Sequence, residues 1–284
     1  MGLLRFNYRS EELGRFVDVT IALPTDQYTY HDEVGEKFMG RFKGRYEPGM
    51  KFQTVYLMHG GGDDDTLTYR YTNAERYATD NNVMLVTPNV ANSFGVDTRY
   101  AVKYQSFISK ELPKVVQSLF PSSPKREDNF IMGYAMGGNV ALGTAILNPE
   151  KYAACVDLSG GIGMTLVSDT FKDELAGDYF KNNFEIYCTT FGEAEDFDGS
   201  SYDIRSALEK HIKEKTVLPE FFIACGEKEF IRERVEGDVA ALRELGVPVR
   251  YECAPGFDHD FEMWDKYIRE ALDKWLPLKR FDQS

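Results

Sequence analysis

Three short stretches of this chain carry residue types that could together transfer an acyl group. Between Asp128 and Leu147, the sequence DNFIMGYAMGGNVALGTAIL passes from an apolar strand-like run (Phe130, Ile131, Met132) through Gly133, Ala135, Gly137 and Gly138. Apolar residues then recur at roughly helical intervals at Met136, Val140, Leu142 and Ile146. Glycines crowded around one central residue predict a sharp strand-to-helix turn that lifts the central side chain to the carboxyl edge of a sheet. This is the geometry of a nucleophile elbow, G-x-S-x-G. The central residue here is Ala135. A methyl group cannot attack a carbonyl, so the chain as it stands lacks the nucleophile that such a turn ordinarily presents.

The second stretch is a β-rich run, Gln53 to Met58, that leads directly into His59, Gly60, Gly61 and Gly62. Glycines after a strand let backbone N–H groups point at a developing oxyanion, and a flexible turn is the plainer alternative. Asp63, Asp64 and Asp65 follow, and consecutive carboxylates without a His or Glu at ligand spacing predict a solvated loop and no metal site. The third stretch lies late in the chain. Glu227 and Glu229 follow the apolar strand Phe221 to Cys225, and His259 follows the strand Val249 to Ala254. A histidine in this place can take a proton from a nucleophile and return it to a leaving group, provided that an acid fixes its tautomer. Glu229 is the first choice for that acid and Glu227 the alternative.

These groups need a scaffold that brings the carboxyl ends of several strands to one edge. Leu3 to Tyr8 and Phe16 to Leu23 read as an edge hairpin, and Tyr28 to Met50 as an inserted loop. Thr72 to Asn81 reads as a helix, Val83 to Thr87 as a buried strand, and Lys103 to Phe120 as an amphipathic helix despite Pro113. Tyr152 to Leu158 reads as a strand, Glu233 to Leu245 as a helix, and Phe261 to Leu276 as a closing amphipathic helix. The alternation predicts an α/β fold, a mostly parallel sheet flanked by helices, in a single domain over residues 1–284. From about residue 163 to 216 the rhythm breaks. Aromatics (Phe171, Tyr179, Phe180, Phe184, Tyr187, Phe191, Phe197) among many acids predict a lid over the carboxyl edge, with peripheral helices as the alternative.

The 284 residues, 43% hydrophobic, suffice for one substantial core. A net charge of -13 argues against nucleic-acid and anionic-membrane partners and leaves a neutral small molecule as the expected one. No run of about eighteen apolar residues predicts a membrane span, so a cytoplasmic location is expected, although a removed signal peptide would leave export open. Cys155, Cys188, Cys225 and Cys253 lack C-x-x-C spacing and read as free thiols, mostly buried. Homo-oligomer formation is compatible with the sequence.

Nucleophile position, acid and histidine occur in the chain order that α/β-hydrolases use. The chain resembles the putative-esterase family of α/β-hydrolases, which includes tributyrin esterase, esterase D (S-formylglutathione hydrolase), feruloyl esterases and the mycolyltransferases. The likeness is to the tributyrin and feruloyl esterase branch above all. It rests on VYLMHGGG, LPKVVQSLFPSSPKREDNFIMGYAMGG, LSGG, FFIACGEKEF and GFDHDFEMWD, which span most of Val55 to Trp264. The resemblance implies oxyanion donors from the backbone of Gly61 and Met136, a base at His259 and an acid at Glu229, where relatives usually have aspartate. Gly60, Gly62 and Tyr134 are the expected substrate contacts, and no cofactor or metal is implied.

Ala135 departs from that pattern at the nucleophile. Because the surrounding glycines, the H-G-G-G loop and His259 all remain, the expected reading is an inactive serine-to-alanine variant of an active serine carboxylesterase. That parent would act on short-chain or aromatic (feruloyl- or acetyl-type) esters through an acyl-enzyme. Two alternatives stand beside it: a natural non-catalytic protein that binds an ester or glycan, and an acyltransferase of the same fold.

Overall fold

Eight strands form, the central ones from short apolar runs buried on both faces: β1 (Gly2–Arg9), β2 (Phe16–Leu23), β3 (Thr54–Met58), β4 (Met84–Pro88), β5 (Asn129–Tyr134), β6 (Ala154–Leu158), β7 (Glu220–Gly226) and β8 (Val249–Ala254). In this computed structural model, which describes residues 2–24, 48–98, 102–161, 163–164, 190–191 and 197–279, they form one sheet in the order β1-β2-β4-β3-β5-β6-β7-β8. The hairpin β1–β2 is antiparallel and joins β4 antiparallel, whereas β4, β3, β5, β6, β7 and β8 all run parallel. The carboxyl ends of β3, β5, β6, β7 and β8 therefore share one edge.

The period of two sends alternate side chains to two cores. Tyr56, Met58, Met84, Val86, Ile131, Cys155 and Ile223 pack on one face, and Val55, Leu57, Leu85, Phe130, Met132, Val156 and Ala224 on the other. Helices cover both faces, as a parallel sheet requires. Short helices α1 (Leu67–Tyr71) and α2 (Ala74–Asp80) follow β3. The rod α3 joins Tyr104–Ser106, a π-helical turn Phe107–Glu111 and Leu112–Leu119. Its π turn has a local cause. Pro113 has no N–H to give the Ser109 carbonyl four residues back, and the Lys151 ammonium donates to that carbonyl instead, at 2.5 Å.

Helix α4 (Met136–Leu147) starts at the end of β5 and is buried almost all round. Helix α5 (Ile204–Lys213) is capped by Asp203, which accepts from the Ser206 N–H, and α6 (Arg232–Glu244) lies between β7 and β8. Helix α7 (Phe261–Glu270) is capped by Asp260, which accepts from the Met263 N–H, and continues into a π turn at Ala271–Trp275. Met263, Trp264, Tyr267, Ile268, Leu272 and Trp275 are its buried stripe, as the closing helix was expected to show. Among the described residues no helix is long and apolar enough to cross a membrane.

Two sequence expectations lie largely outside the described residues: the inserted loop from Tyr28 to Met50, and the aromatics at 171, 179, 180, 184 and 187. The other two aromatics, Phe191 and Phe197, are buried with Val96 and Tyr202 in a small separate cluster beside the loop that follows β4. Of the four cysteines, Cys155 and Cys225 are buried free thiols, Cys253 is a half-buried free thiol, and Cys188 lies outside the described residues.

Candidate active site

The chain reverses from β5 into α4 at Ala135, which takes φ 50° and ψ -125°, a strained conformation for a residue with a Cβ. Such a conformation costs on the order of 1–3 kcal/mol and persists only where the surroundings enforce it. Here the enforcement is close packing. A Cβ on Gly133 would stand 2.0 Å from the Gly137 carbonyl oxygen, and one on Gly137 would stand 2.2 Å from the Met58 carbonyl oxygen. The turn is further pinned by the Ala135 N–H donating to the Leu158 carbonyl at 2.8 Å. Met136 is the first residue of α4, so its N–H has no acceptor within the helix and sits at the positive end of the helix dipole.

The H-G-G-G loop lies against this turn. A Cβ on Gly60 would stand 3.4 Å from the Ala135 Cβ, and one on Gly61 would stand 4.0 Å from the Met136 Cβ. The two backbones expected to donate to an oxyanion are thus neighbours. His59 fastens the loop from below. Its Nε2 accepts the Val90 N–H at 2.9 Å, so the ring proton is on Nδ1, which donates to the Gly60 carbonyl at 2.7 Å. Burial pushes this imidazole below its ordinary range and keeps it neutral. On the outer side, the Gly62 N–H donates to Asn92 Oδ1 at 2.7 Å. Hydrogen bonds thus tie the loop at both ends.

Two expectations need correction here. The aspartates after the loop are not uniformly solvated: Asp65 is buried and accepts the Thr20 hydroxyl at 2.6 Å. Asp63 is half-buried, and burial pushes its carboxyl above the ordinary range, with the Tyr134 hydroxyl and the Gly60 N–H among the groups drawing it back. Tyr134, expected to touch substrate, is fully buried. Its ring stacks on Trp264 at 4.9 Å between centroids and underlies Gly60, so it supports the loop from inside.

The carboxyl ends of β7 and β8 bring the acid and the histidine together. His259 Nδ1 lies 3.1 Å from Glu229 Oε2. The other carboxylate oxygen, Oε1, accepts the Gly226 N–H at 2.6 Å and the Ser159 hydroxyl at 2.7 Å. Ser159 in turn accepts the Trp264 indole N–H at 3.1 Å. The Trp264 ring also stands edge-on to the His259 ring, with centroids 4.9 Å apart, and Phe230, largely exposed, lies 5.0 Å from the same imidazole. Glu227 points elsewhere: it is exposed and accepts the Gly256 N–H at 2.9 Å. Of the two candidate acids, only Glu229 meets the histidine.

The sequence did not single out Ser159, although the strand-end segment LSGG contains it. Ser159 adopts φ 64°, is fully buried, and ends the strand next to the elbow. The carboxyl of Asp157, two residues earlier, is also fully buried. Its Oδ1 accepts the Gly160 N–H at 2.8 Å, while Oδ2 has no hydrogen-bond partner. Burial pushes Asp157 up to about 8, with Asp238 and Glu229 adding repulsion, so near neutral pH it is largely protonated.

The sheet order, the strained turn after β5 and the acid and histidine after β7 and β8 define an α/β-hydrolase fold. The family described as Putative esterase matches residues 33–277, and the chain belongs to it. Among curated proteins, an acetyl esterase of Caldicellulosiruptor saccharolyticus is 26% identical over 97% of this chain and 98% of its own length. Among solved structures, the fluorophosphonate-binding serine hydrolase F of Staphylococcus aureus, in a substrate-bound form, is 28% identical over 97% of this chain and 98% of that one, with a TM-score of 0.77. The S-formylglutathione hydrolase of the same organism is 28% identical with the same coverage and a TM-score of 0.75. A ferulic acid esterase at 18% identity and a TM-score of 0.68 shares the fold. Ester hydrolysis is the chemistry of this family.

Proposed function

We propose that this chain is a serine carboxylesterase lacking only its attacking oxygen. With serine at position 135, it hydrolyses short-chain or aromatic carboxylic esters through an acyl-enzyme. The observation that carries this reading is the strained φ of 50° at Ala135 beside a hydrogen-bonded His259–Glu229 pair. A turn of this kind is costly to keep for an alanine, whereas it serves a nucleophile that must stand clear of the helix.

In the proposed reaction, His259 takes the proton of the serine hydroxyl as the oxygen attacks the ester carbonyl. Glu229 holds the imidazole with its proton on Nδ1 and stabilises the imidazolium that forms. The oxyanion accepts from the Gly61 and Met136 N–H groups. Collapse expels the alcohol, which receives the proton from His259, and water repeats the sequence to release the acid. Gly60 and Gly62 shape the loop around the carbonyl, and Phe230 offers an apolar wall beside the histidine. The acetyl esterase relative favours a small acyl group.

Ala135 removes the attacking oxygen without adding bulk, so the chain as it stands binds its ester and leaves it intact. Calorimetry with aryl acetates and methyl ferulate, followed by product analysis, tests this. The expected result is saturable binding without release of acid. Release of acid at a rate above buffer, or no binding across the ester series, contradicts it.

A further inference from the structure

A cavity of about 370 Å³ lies near the amino edge of the sheet, beyond the start of β5 and β6, whereas Ala135 lies beyond the end of β5. Its walls carry Lys110, Lys114, Arg126 and Lys151, with Glu150 the one acid among its described lining residues. Four cations against one carboxylate is a local reversal in a chain whose net charge is -13. The size falls in the range of small-molecule sites.

The cations are placed by the fold. Lys110 and Lys114 lie four residues apart on α3, both exposed. Lys151 is tethered through the Ser109 carbonyl that Pro113 leaves unpaired. Burial pushes the Lys151 ammonium below its ordinary range, and Lys110 is close enough to lower it further, while Glu150 opposes both. Arg126 is held by its Nε donating to the Pro149 carbonyl at 2.8 Å. Bringing these like charges together costs free energy that an anion would recover.

Three further lining residues carry unsatisfied polar atoms. The Tyr56 and Tyr152 hydroxyls and the Asn129 Oδ1 are buried without a hydrogen-bond partner, each on a side chain with almost no exposure. Burial pushes the Tyr152 phenol up, so it keeps its proton and remains a donor. Buried polar groups of this kind are usually satisfied by a ligand or an ordered water. Ammonium groups and a phenol donate to anionic oxygens, while the Asn129 oxygen would accept from a hydroxyl.

We propose that this cavity binds a small hydroxyl-bearing multivalent anion, a phosphate ester or a hydroxy polycarboxylate, independently of the ester site. Titration calorimetry on the intact chain at low ionic strength, with glycerol 3-phosphate and citrate as probes, tests it and separates the two classes. At least one probe should bind, and added salt should weaken it. The double variant Lys110→Glu/Lys114→Glu should bind about tenfold or more weakly. Tyr152→Phe provides a second arm, since it keeps the ring volume. It should weaken binding and raise the melting temperature of the free protein, because an unpaired buried hydroxyl is removed. Binding of neither probe, or binding that both variants leave unchanged, overturns the proposal.

Discussion

His259 and Glu229 meet at 3.1 Å, with the glutamate side chain wholly buried and the imidazole partly open. Two donors, the Gly226 N–H and the Ser159 hydroxyl, occupy the second carboxylate oxygen and leave Oε2 for the histidine. In an Ala135→Ser background, Glu229→Gln should lower kcat/KM by up to about 10⁴-fold, because an amide can present its NH2 group to Nδ1 and favour the wrong tautomer. Glu227→Gln should change it by no more than about twofold, as an exposed acid with one backbone contact. Steady-state kinetics on an aryl ester decide between them. A greater loss with Glu227→Gln refutes the assignment.

Ser159 acts through Glu229 as a positioning residue. Because its φ of 64° suits glycine, Ser159→Gly removes the hydroxyl without adding backbone strain. Hydrogen bonds to charged groups contribute about 1.5–3 kcal/mol, so kcat in the Ala135→Ser background should fall by roughly 10- to 100-fold with little change in KM. The acid limb of the pH–rate profile should move upward, since a carboxylate with one donor fewer attracts the imidazolium proton more strongly. An unmoved profile with an equal loss at every pH means that the hydroxyl only supports packing.

Asp157 gives a pH signature in stability. Its pKa is about 8 in the folded chain, chiefly from burial, against about 3.9 for an unfolded aspartate. Between those values the folded state holds more protons than the unfolded state, so stability falls as pH rises through that window. Asp157→Asn mimics the neutral acid and removes this slope. Urea denaturation from pH 4 to pH 8 should show the unmodified chain losing stability relative to the variant. Parallel curves refute a protonated Asp157.

Phe230 is largely exposed beside the histidine and should contribute to binding more than to chemistry. Phe230→Ala in the Ala135→Ser background should raise KM for aromatic esters about three- to tenfold and leave kcat nearly unchanged. A fall in kcat at constant KM would assign the ring to orienting His259 instead.

The sequence made the scaffold legible because short, continuously apolar runs such as TVYLM and FIM, each followed by a glycine-rich turn, mark strands buried on both faces of a parallel sheet. The elbow and the His259 position were equally readable, since crowded glycines and strand ends leave local marks. Ser159, Asp157 and the burial of Tyr134 and Asp65 were not. Each depends on residues brought together from distant parts of the chain, as when Trp264 reaches Ser159 across 105 positions. The choice between Glu229 and Glu227 also needed the fold, because two residues of spacing after β7 decide which carboxylate turns inward.

Turnover of p-nitrophenyl acetate and butyrate by the folded Ala135→Ser chain tests the central claim most directly. Loss of a catalytic serine costs about a millionfold in kcat, so the restored chain should hydrolyse at least one ester far faster than the chain with Ala135, with His259→Ala abolishing the gain. A correctly folded Ala135→Ser chain that leaves both esters untouched, along with a wider panel of acetyl and feruloyl esters, would contradict the esterase assignment.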